Sequence, residues 1–248
     1  MAKLNLWDDF KKWQEGCKVV DLSMIIDDKT QRFGSFPPLE LKTMYTVEEH
    51  GFLVHLHSVV GQYGTHIDAP AHFVAKARTL EQLPPDEFIL PLCVIDKSKE
   101  VAANPDFEMT VADIEAWEKE YGKIPADSFV AFRSDWHKRA QQGLDINNPD
   151  ADGQYHTPGW TLDALKLLYE GRKVKAVGHE TLDTDSGLAK TKAGFAGELW
   201  LLQIDRYQVE VMINLDQCPA VGGLIFCGVP KIRGAAGFPI RCIAVVPK

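Results

Sequence analysis

The sequence predicts a single α/β domain with a mixed sheet or barrel-like core and helices packed outside it. Three observations favour this fold class. Strand and helix patterns alternate irregularly along the 248 residues. No Pro/Ser-rich linker and no internal repeat divides the chain, so we expect one domain over residues 1–248. Polar clusters follow several predicted strands, which is where such folds tend to place a functional site.

The first predicted elements are a helix, a strand and a hairpin. Apolar residues spaced three or four apart predict an amphipathic helix over residues 4–13, within an N-terminal extension that covers residues 1–18. The apolar run 19–26 predicts a buried strand. Residues 27–38 are rich in Asp, Gly and Pro and predict a loop at the rim of a pocket. Two β-rich runs within residues 41–60 predict a hairpin.

The later elements are predicted from the same patterns. The predicted strands are 88–96 (interrupted at Pro91), 128–133, 174–177, 223–229 and 240–246. The predicted helices are 111–121 with Thr110 as its cap, a helix between Thr161 and Gly171, and a mostly helical segment over 198–215. Residues 141–159 form a long irregular segment, and connections of that length are usually functional or disordered.

Composition excludes several classes of function. A net charge of -8 argues against nucleic acid or an anionic membrane as the main partner. No apolar run approaches the roughly 20 residues of a membrane span. We expect a cytoplasmic protein, because the N-terminal segment is unlike a signal peptide. Its apolar character is interrupted by Asp8, Asp9, Lys11 and Lys12.

The five cysteines are odd in number, scattered, and form no CxxC motif. They lie mostly in apolar surroundings, so buried free thiols are the favoured interpretation over disulfides. The cysteines are Cys17, Cys93, Cys218, Cys227 and Cys242.

Segment 61–73 is the densest cluster of metal-ligand types in the chain. It places two imidazoles and one carboxylate within seven residues, at His66, Asp68 and His72. Nitrogen and oxygen ligands without thiolate suit Zn²⁺, Mn²⁺ or Fe²⁺. A cation there would acidify a bound water or polarise a carbonyl group. Alternatively, the three side chains form a hydrogen-bonded structural cluster.

The alternation of side chains along an extended segment indicates which residues share a face. Gln62, His66 and Asp68 share one face, and His72 joins them if the chain stays extended past Pro70. Pro70 favours this interpretation because it biases the preceding residue toward the extended region. Asp68 could bridge two ions, and His72 could remain unligated as an acid or base.

Other polar residues support weaker predictions. His55 and His57 share one face of a strand, where a solvated or inter-strand role is favoured over metal binding. The cluster at 179–185 contains His179, Glu180, Asp183 and Asp185, for which a site and ordinary capping and turn chemistry are equally open. Arg133 and Asp135 are expected to form a structural ion pair.

The run 64–73, Gly-Thr-His-Ile-Asp-Ala-Pro-Ala-His-Phe, closely resembles the signature of the cyclase-like metal-dependent hydrolases. This is the family of bacterial kynurenine formamidase and isatin hydrolase. The resemblance covers roughly residues 19–247. It extends to Asp21-Leu22-Ser23, to Val130–Trp136, to Gly159–Asp185 and to Asn214-Leu215.

The resemblance implies a compact α/β fold of the swivelling β/β/α type and a homo-oligomer, either a dimer or a tetramer. It also implies hydrolysis of small cyclic or acyclic amides with one or two divalent cations. The residue matching His66 then binds metal, the one matching Asp68 binds or bridges metal, and the one matching His72 transfers protons.

The sequence departs from the family pattern at three positions. Gln62 stands where the family commonly has His, and the family's late His falls near Glu198. The family's late Glu or Gln falls at Ile213, which cannot bind metal, although Glu210 could substitute if that segment is helical. We therefore expect one Zn²⁺ or Mn²⁺ rather than two. The candidate ligands are Gln62, His66, Asp68, His72 and Glu198.

These observations predict a metal-dependent hydrolase that cleaves an amide, lactam or lactone bond of a small cyclic or aromatic substrate. His66, Asp68 and His72 are its expected catalytic residues, and the loops 27–38 and 141–159 are expected to set specificity. The substitutions at the usual ligand positions motivate an alternative, a non-catalytic small-molecule-binding member of the same fold. A less favoured third option is a non-haem iron oxygenase.

Overall fold

The computed structural model describes residues 5–248, which form thirteen strands and eight helices within that range. The strands are β1 (Cys17–Asp21), β2 (Glu40–Tyr45), β3 (Val54–Ser58), β4 (His66–Asp68), β5 (Ile89–Asp96), β6 (Glu108–Met109), β7 (Phe129–Arg133), β8 (Gly159–Trp160), β9 (Ala176–His179), β10 (Tyr207–Glu210), β11 (Gly223–Gly228), β12 (Gly237–Pro239) and β13 (Arg241–Pro247). The helices are α1 (Leu6–Gly16), α2 (Val47–His50), α3 (Ser98–Ala103), α4 (Val111–Tyr121), α5 (His137–Gln141), α6 (Leu162–Lys166), α7 (Gly187–Ala193) and α8 (Ala196–Gln203).

Nine strands form one mixed sheet in the order β1-β13-β11-β5-β7-β9-β10-β4-β12. The central strands β5, β7, β9 and β10 are parallel, and the flanking pairs are antiparallel. The sheet curls into a half-barrel with β1 and β12 at its two edges. The predicted α/β class and mixed sheet are therefore confirmed. The strands β2 and β3 form a separate hairpin, as predicted.

Both faces of the central sheet are covered, which explains its continuous apolar strands. Phe129 belongs to one buried hydrophobic cluster and the next residue, Val130, to the other. The second cluster also contains residues of α4, α6 and α8, namely Ile114, Leu165 and Leu201. Packing on both faces stabilises the sheet, and the sheet in turn holds the polar residues of β4, β9 and β10 in position.

Several predicted elements have the predicted bounds. Helix α4 begins after Thr110, whose side chain and that of Asp113 cap each other's backbone N–H groups. The predicted N-terminal helix is α1, although Leu4 lies outside the described residues. A bilayer-spanning helix is absent from residues 5–248, since each helix there is too short or too polar for one.

The predicted helix over 198–215 is wrong in its second half. Helix α8 ends at Gln203, and residues 207–210 form strand β10, hydrogen-bonded to β9 on one side and β4 on the other. The alternation of Tyr207, Gln208, Val209 and Glu210 is the period of two that a strand requires. This correction changes which side chains reach the site.

Three smaller predictions also need correction. Strand β5 continues through Pro91, because its neighbour β7 pairs with it only from Leu92 onward and no ladder partner is lost on that side. The first strand ends at Asp21 rather than Ile26. The chain does not stay extended past Pro70, since residues 70–72 form a 3₁₀ turn.

Candidate active site and metal centre

The site is built on the antiparallel pair β4 and β10. In this register Glu210 lies opposite His66, and Gln208 lies opposite Asp68. Residues directly opposite each other in an antiparallel pair project from the same face, and so do residues two apart in one strand. Strand geometry therefore gathers one imidazole, two carboxylates and one amide on a single face, and all four side chains are buried.

The imidazole of His66 is held in a defined orientation. Its Nδ1 atom donates to the Gly64 carbonyl oxygen at 2.8 Å, which leaves the lone pair of the neutral ring on Nε2. That Nε2 atom is buried and has no hydrogen-bond partner among the described residues. It lies 3.5 Å from Asp68 Oδ2 and 3.4 Å from Glu210 Oε2. A lone pair facing two carboxylates requires a positive charge between them.

The pKa shifts of these groups also indicate a site that stabilises positive charge. Burial alone would lower the pKa of His66, but Asp68 and Glu210 outweigh it and raise that pKa well above its usual value. Burial alone would raise the pKa of Asp68, but the nearby His66 reverses this effect and lowers it to about 2. In the absence of a metal, a proton on His66 supplies the missing charge, and a divalent cation can replace that proton.

Two further polar side chains complete the floor of the site. His179, at the end of β9, places Nε2 3.3 Å from Glu210 Oε1. Gln208 donates from Nε2 to Glu210 Oε1 at 2.9 Å and to Asp68 Oδ2 at 3.4 Å. The Thr184 hydroxyl in turn donates to the Gln208 amide oxygen. These contacts hold the two carboxylates apart and fix their orientation.

The donor set fits a divalent cation. Ligand atoms of His66, Asp68 and Glu210 lie within 4.8 Å of one another, and so do those of Asp68, His72 and Glu198. Both groups contain only nitrogen and oxygen donors, which suit Zn²⁺ or Mn²⁺. Burial, followed by repulsion from Glu210 and Asp68, raises the pKa of Glu198 well above its ordinary value. The orphaned Nε2 of His66 and this excess of buried carboxylates are the observations on which the fit depends.

A cavity of about 420 Å³ opens onto these residues. Its apolar lining consists of Leu182 and four phenylalanines, Phe33, Phe36, Phe73 and Phe195, of which the first two lie in the predicted rim loop 27–38. Its polar lining consists of Gln62, His66, His72, Asp183, Glu198 and Glu210. An aromatic wall facing a polar floor suits a small ring system with a reactive carbonyl group.

His72 reaches the cavity by a different route from the predicted one. The 3₁₀ turn after Pro70, rather than strand alternation, directs its ring onto Phe73 at a centroid distance of 4.8 Å. Its Nδ1 atom accepts from the Gln62 side-chain amide at 3.3 Å, and the same amide donates to Asp68 Oδ1 at 3.1 Å. Gln62 therefore presents its nitrogen to the cluster and links Asp68 to His72.

The structure separates the four polar residues of the 179–185 cluster. His179 and Asp183 face the site, whereas Asp185 accepts from two backbone N–H groups at the start of α8. Glu180 is buried on another side, where it accepts from the backbone N–H and hydroxyl of Ser134 and from the backbone N–H of Trp136. Capping is thus observed for Asp185, while His179 and Asp183 stay candidates for the site.

The remaining predictions concern residues outside the cavity. The β2–β3 hairpin carries His55 and His57, whose ring centroids lie 6.0 Å apart, and neither lines the cavity. Arg133 forms the predicted ion pair with Asp135 at 2.8 Å. All five cysteines are free.

Sequence reasoning assigned Glu210 to a helix, and it missed Gln208 and Lys190. Glu210 lies on a strand, and Ile213 contributes only a backbone N–H, to the Leu22 carbonyl. The period-two alternation over 207–210 could have identified the strand and its inward polar pair. Lys190 pairs with Asp183, seven residues earlier, and no helical or strand period in the sequence indicates that contact.

Comparison with known proteins agrees with this geometry. The model of the Cyclase family matches residues 20–186, which include the His66 and Asp68 strand and the 179–185 segment. The chain belongs to the Cyclase family. The predicted resemblance is thereby confirmed.

Members of this family include enzymes that are similar to the chain over most of its length. It is 37% identical to an isatin hydrolase from Roseibium aggregatum over 196 residues, which cover 77% of this chain and 74% of that protein. The structure of isatin hydrolase A from Labrenzia aggregata, bound to benzyl benzoate, is 31% identical, with a TM-score of 0.91 and coverage of 98% and 100% of the two chains. An isatin hydrolase bound to the product analogue thioisatinate is 30% identical, with a TM-score of 0.91 and full coverage of both chains. The protein is an enzyme of the cyclase-like hydrolase group.

Proposed function

We propose that this protein hydrolyses an amide, lactam or lactone bond in a small cyclic or aromatic substrate. The observation that carries the proposal is the unpartnered Nε2 of His66, which faces Asp68 and Glu210 at the floor of an aromatic cavity. The similarity to isatin hydrolases supports a cyclic substrate.

One divalent cation, Zn²⁺ or Mn²⁺, would be held by His66, Asp68 and Glu210. When bound, such an ion lowers the pKa of a water molecule and polarises a carbonyl group. The second group of possible ligands shares Asp68 with the first and uses His72, which already accepts from Gln62. This overlap supports one ion rather than two, with His72 left for proton transfer.

The protein's own residues would perform the remaining tasks. Gln62 holds the His72 ring through Nδ1, and the ring would take up a proton from the attacking water and pass it on to the leaving nitrogen or oxygen. Water adds to the carbonyl carbon, the C–N or C–O bond breaks, and the leaving atom gains the proton. The phenylalanine walls hold the substrate ring and exclude other water.

A turnover screen tests this function. The hydrolysis of isatin, N-formylkynurenine and a few lactones is measured with the protein after chelation of its metal and again after reloading with Mn²⁺ or Zn²⁺. We expect turnover only in the loaded protein, with one ion per chain, and its loss in His66→Ala and His72→Gln. Turnover that survives chelation and both substitutions would contradict the mechanism. Tight binding without any turnover would instead support the alternative of a non-catalytic member, which Gln62 motivates.

We also propose that the enzyme is a homo-oligomer that buries the β2–β3 hairpin. Five apolar side chains of this hairpin are each more than half exposed: Leu41, Val47, Phe52, Leu53 and Leu56. The register places Leu41 and Leu56 on opposite faces of the hairpin, so both of its faces expose apolar side chains, which is typical of an interaction site. Light scattering should give a multimer for the natural sequence and a smaller species for Leu56→Glu. A monomeric natural protein would contradict this proposal.

A further inference from the structure

The cavity is lined by hydrogen-bond acceptors more than by donors. Three carboxylates face it, from Asp183, Glu198 and Glu210, and no Lys or Arg is among the described residues that line it. A neutral substrate with an N–H donor finds acceptors in this lining.

Asp183 differs from the other two carboxylates because it lies outside both groups of candidate metal ligands. Its Oδ2 atom pairs with the Lys190 ammonium group. Its Oδ1 atom accepts no hydrogen bond from residues 5–248, although the side chain lines the cavity and is only 12% exposed. One oxygen is thus held by the protein, and the other is available to a ligand.

Lys190 is itself held in place by two aromatic rings. Its ammonium nitrogen lies 5.2 Å from the Tyr155 centroid and 5.5 Å from the Phe195 centroid. Burial raises the pKa of Asp183, and the Lys190 ammonium opposes that rise and favours the ionised carboxylate. The ion pair is therefore a rigid part of the cavity wall, and a fixed acceptor discriminates better than a mobile one.

We propose that Asp183 accepts a hydrogen bond from the N–H of the substrate's scissile amide, and so selects lactams with a free N–H over lactones and N-alkylated lactams. This inference rests on the proposed function and narrows its substrate class. A lactone places a ring oxygen against the carboxylate, and an N-alkyl lactam leaves the carboxylate desolvated without a partner. Sites built to hydrogen-bond a substrate N–H reject analogues that lack it.

The same contact suits the reaction product. Water adds its oxygen to the carbonyl carbon, the C–N bond breaks with its electron pair going to nitrogen, and that nitrogen gains one proton. The lactam N–H thereby becomes an amine with two N–H bonds, and the acyl carbon becomes a carboxylic acid, which loses the other proton of the water to solvent. Asp183 can keep accepting from the amine after the C–N bond has broken.

Direct binding measurements test the role of Asp183 without requiring turnover. The metal-loaded protein is titrated by calorimetry with oxindole, which has a lactam N–H, and with N-methyloxindole, which lacks it. We expect oxindole to bind at least about tenfold more tightly, which corresponds to roughly one hydrogen bond to a charged group. In Asp183→Asn the amide oxygen turns to Lys190 and the NH₂ group faces the cavity, so the preference should fall below about threefold.

Two further variants control for shape and for folding. If the methyl group only clashed with the wall, the isosteric Asp183→Asn variant would keep the preference, and that result would overturn the inference. The paired variant Asp183→Leu/Lys190→Met removes both charges together, and it too should lose the preference. Asp205→Asn makes the same change in the surface ion pair with Arg78 and should leave the preference unchanged.

The failure of this inference is distinguishable from the failure of the proposed function. Equal binding of the two probes by the natural protein overturns the role of Asp183, whatever the enzyme hydrolyses. Absence of lactam turnover in the metal-loaded protein overturns the proposed function, while the binding ratio still decides the role of Asp183.

Discussion

Two clusters in this molecule contain the same residue types, one histidine between two acidic residues, but the histidine contacts its carboxylates differently in each. In the buried cluster, His66 faces Asp68 and Glu210 with one ring nitrogen, because the Gly64 carbonyl occupies the other. In the surface cluster, His156 faces Asp106 with Nδ1 at 2.8 Å and Asp150 with Nε2 at 3.4 Å.

The difference shows that geometry and burial, rather than composition, make a metal centre. Each nitrogen of His156 has its own carboxylate, so a single protonated ring satisfies both acids, and its side chain is 27% exposed to water. Nε2 of His66 must serve two carboxylates, and its side chain is only 2% exposed. One proton cannot bond well to three acceptor atoms, whereas a divalent cation can bind all of them.

The largest expected difference between the clusters is in metal content and activity. His66→Ala should lower both metal affinity and kcat/KM by more than about 100-fold, since it removes a ligand rather than an outer partner. His156→Ala should leave both quantities within about threefold, as expected for a surface ion pair. Elemental analysis and steady-state kinetics on both variants check this prediction. Equal losses in the two variants would contradict it.

Metal removal should destabilise the buried cluster and leave the surface one unchanged. At a free metal concentration of 100 times Kd, binding stabilises the native state by about 2.7 kcal/mol. For a chain of this size, that loss lowers the melting temperature by about 5–10 °C. Calorimetry with and without chelator should show the shift in the natural protein and in His156→Ala, but not in His66→Ala. An identical shift in His66→Ala would place the metal elsewhere.

Substitutions of the amide side chains next to the two clusters should differ less in their effect on metal affinity. Gln208→Leu removes the amide that donates to Asp68 and Glu210, and such changes typically cost about 10–100-fold in metal affinity. Gln154→Leu is the matched change beside the surface cluster, where the amide donates to the Tyr155 carbonyl oxygen. Metal titrations should separate the two variants. An unchanged affinity in Gln208→Leu would remove the orienting role of that amide.

The smallest expected effect is the pH dependence of the surface cluster. Hydrogen bonds to Asp106 and then Asp150 raise the pKa of His156 above its usual value of 6.5. A raised pKa in the folded state stabilises the protein fully below pH 6.5, and this contribution is lost as the pH rises through the folded pKa. The difference in melting temperature between the natural protein and His156→Gln should therefore be larger at about pH 6 than at about pH 8.5. A difference that grows with pH would contradict this assignment.

The sequence predicts those parts of the fold and site that depend on local chemistry. The Thr110 cap and the spacing of His66 and Asp68 are local, and both are found where they were predicted. The Pro70 turn brings His72 to the cavity although the extended geometry expected for it is absent. The parts that were not predicted depend on contacts that no local periodicity indicates.

Glu210 shows why local sequence patterns do not predict the whole site. Its strand depends on hydrogen bonds to β4, which lies about 140 residues earlier in the chain, and the apolar residues nearby also fit a helix. The pairing of Lys190 with Asp183 spans only seven residues, but it joins helix α7 to the loop before it, and such a turn leaves no periodic pattern in the sequence. Long-range register, rather than local propensity, therefore completes the site.

Anomalous X-ray diffraction from crystals grown with Mn²⁺ or Zn²⁺ would locate the ion itself. We expect one anomalous peak per chain, within about 2.0–2.2 Å of His66 Nε2 and of carboxylate oxygens of Asp68 and Glu210. No peak at this position, with His66 instead protonated and hydrogen-bonded to both carboxylates, would rule out a metal centre here.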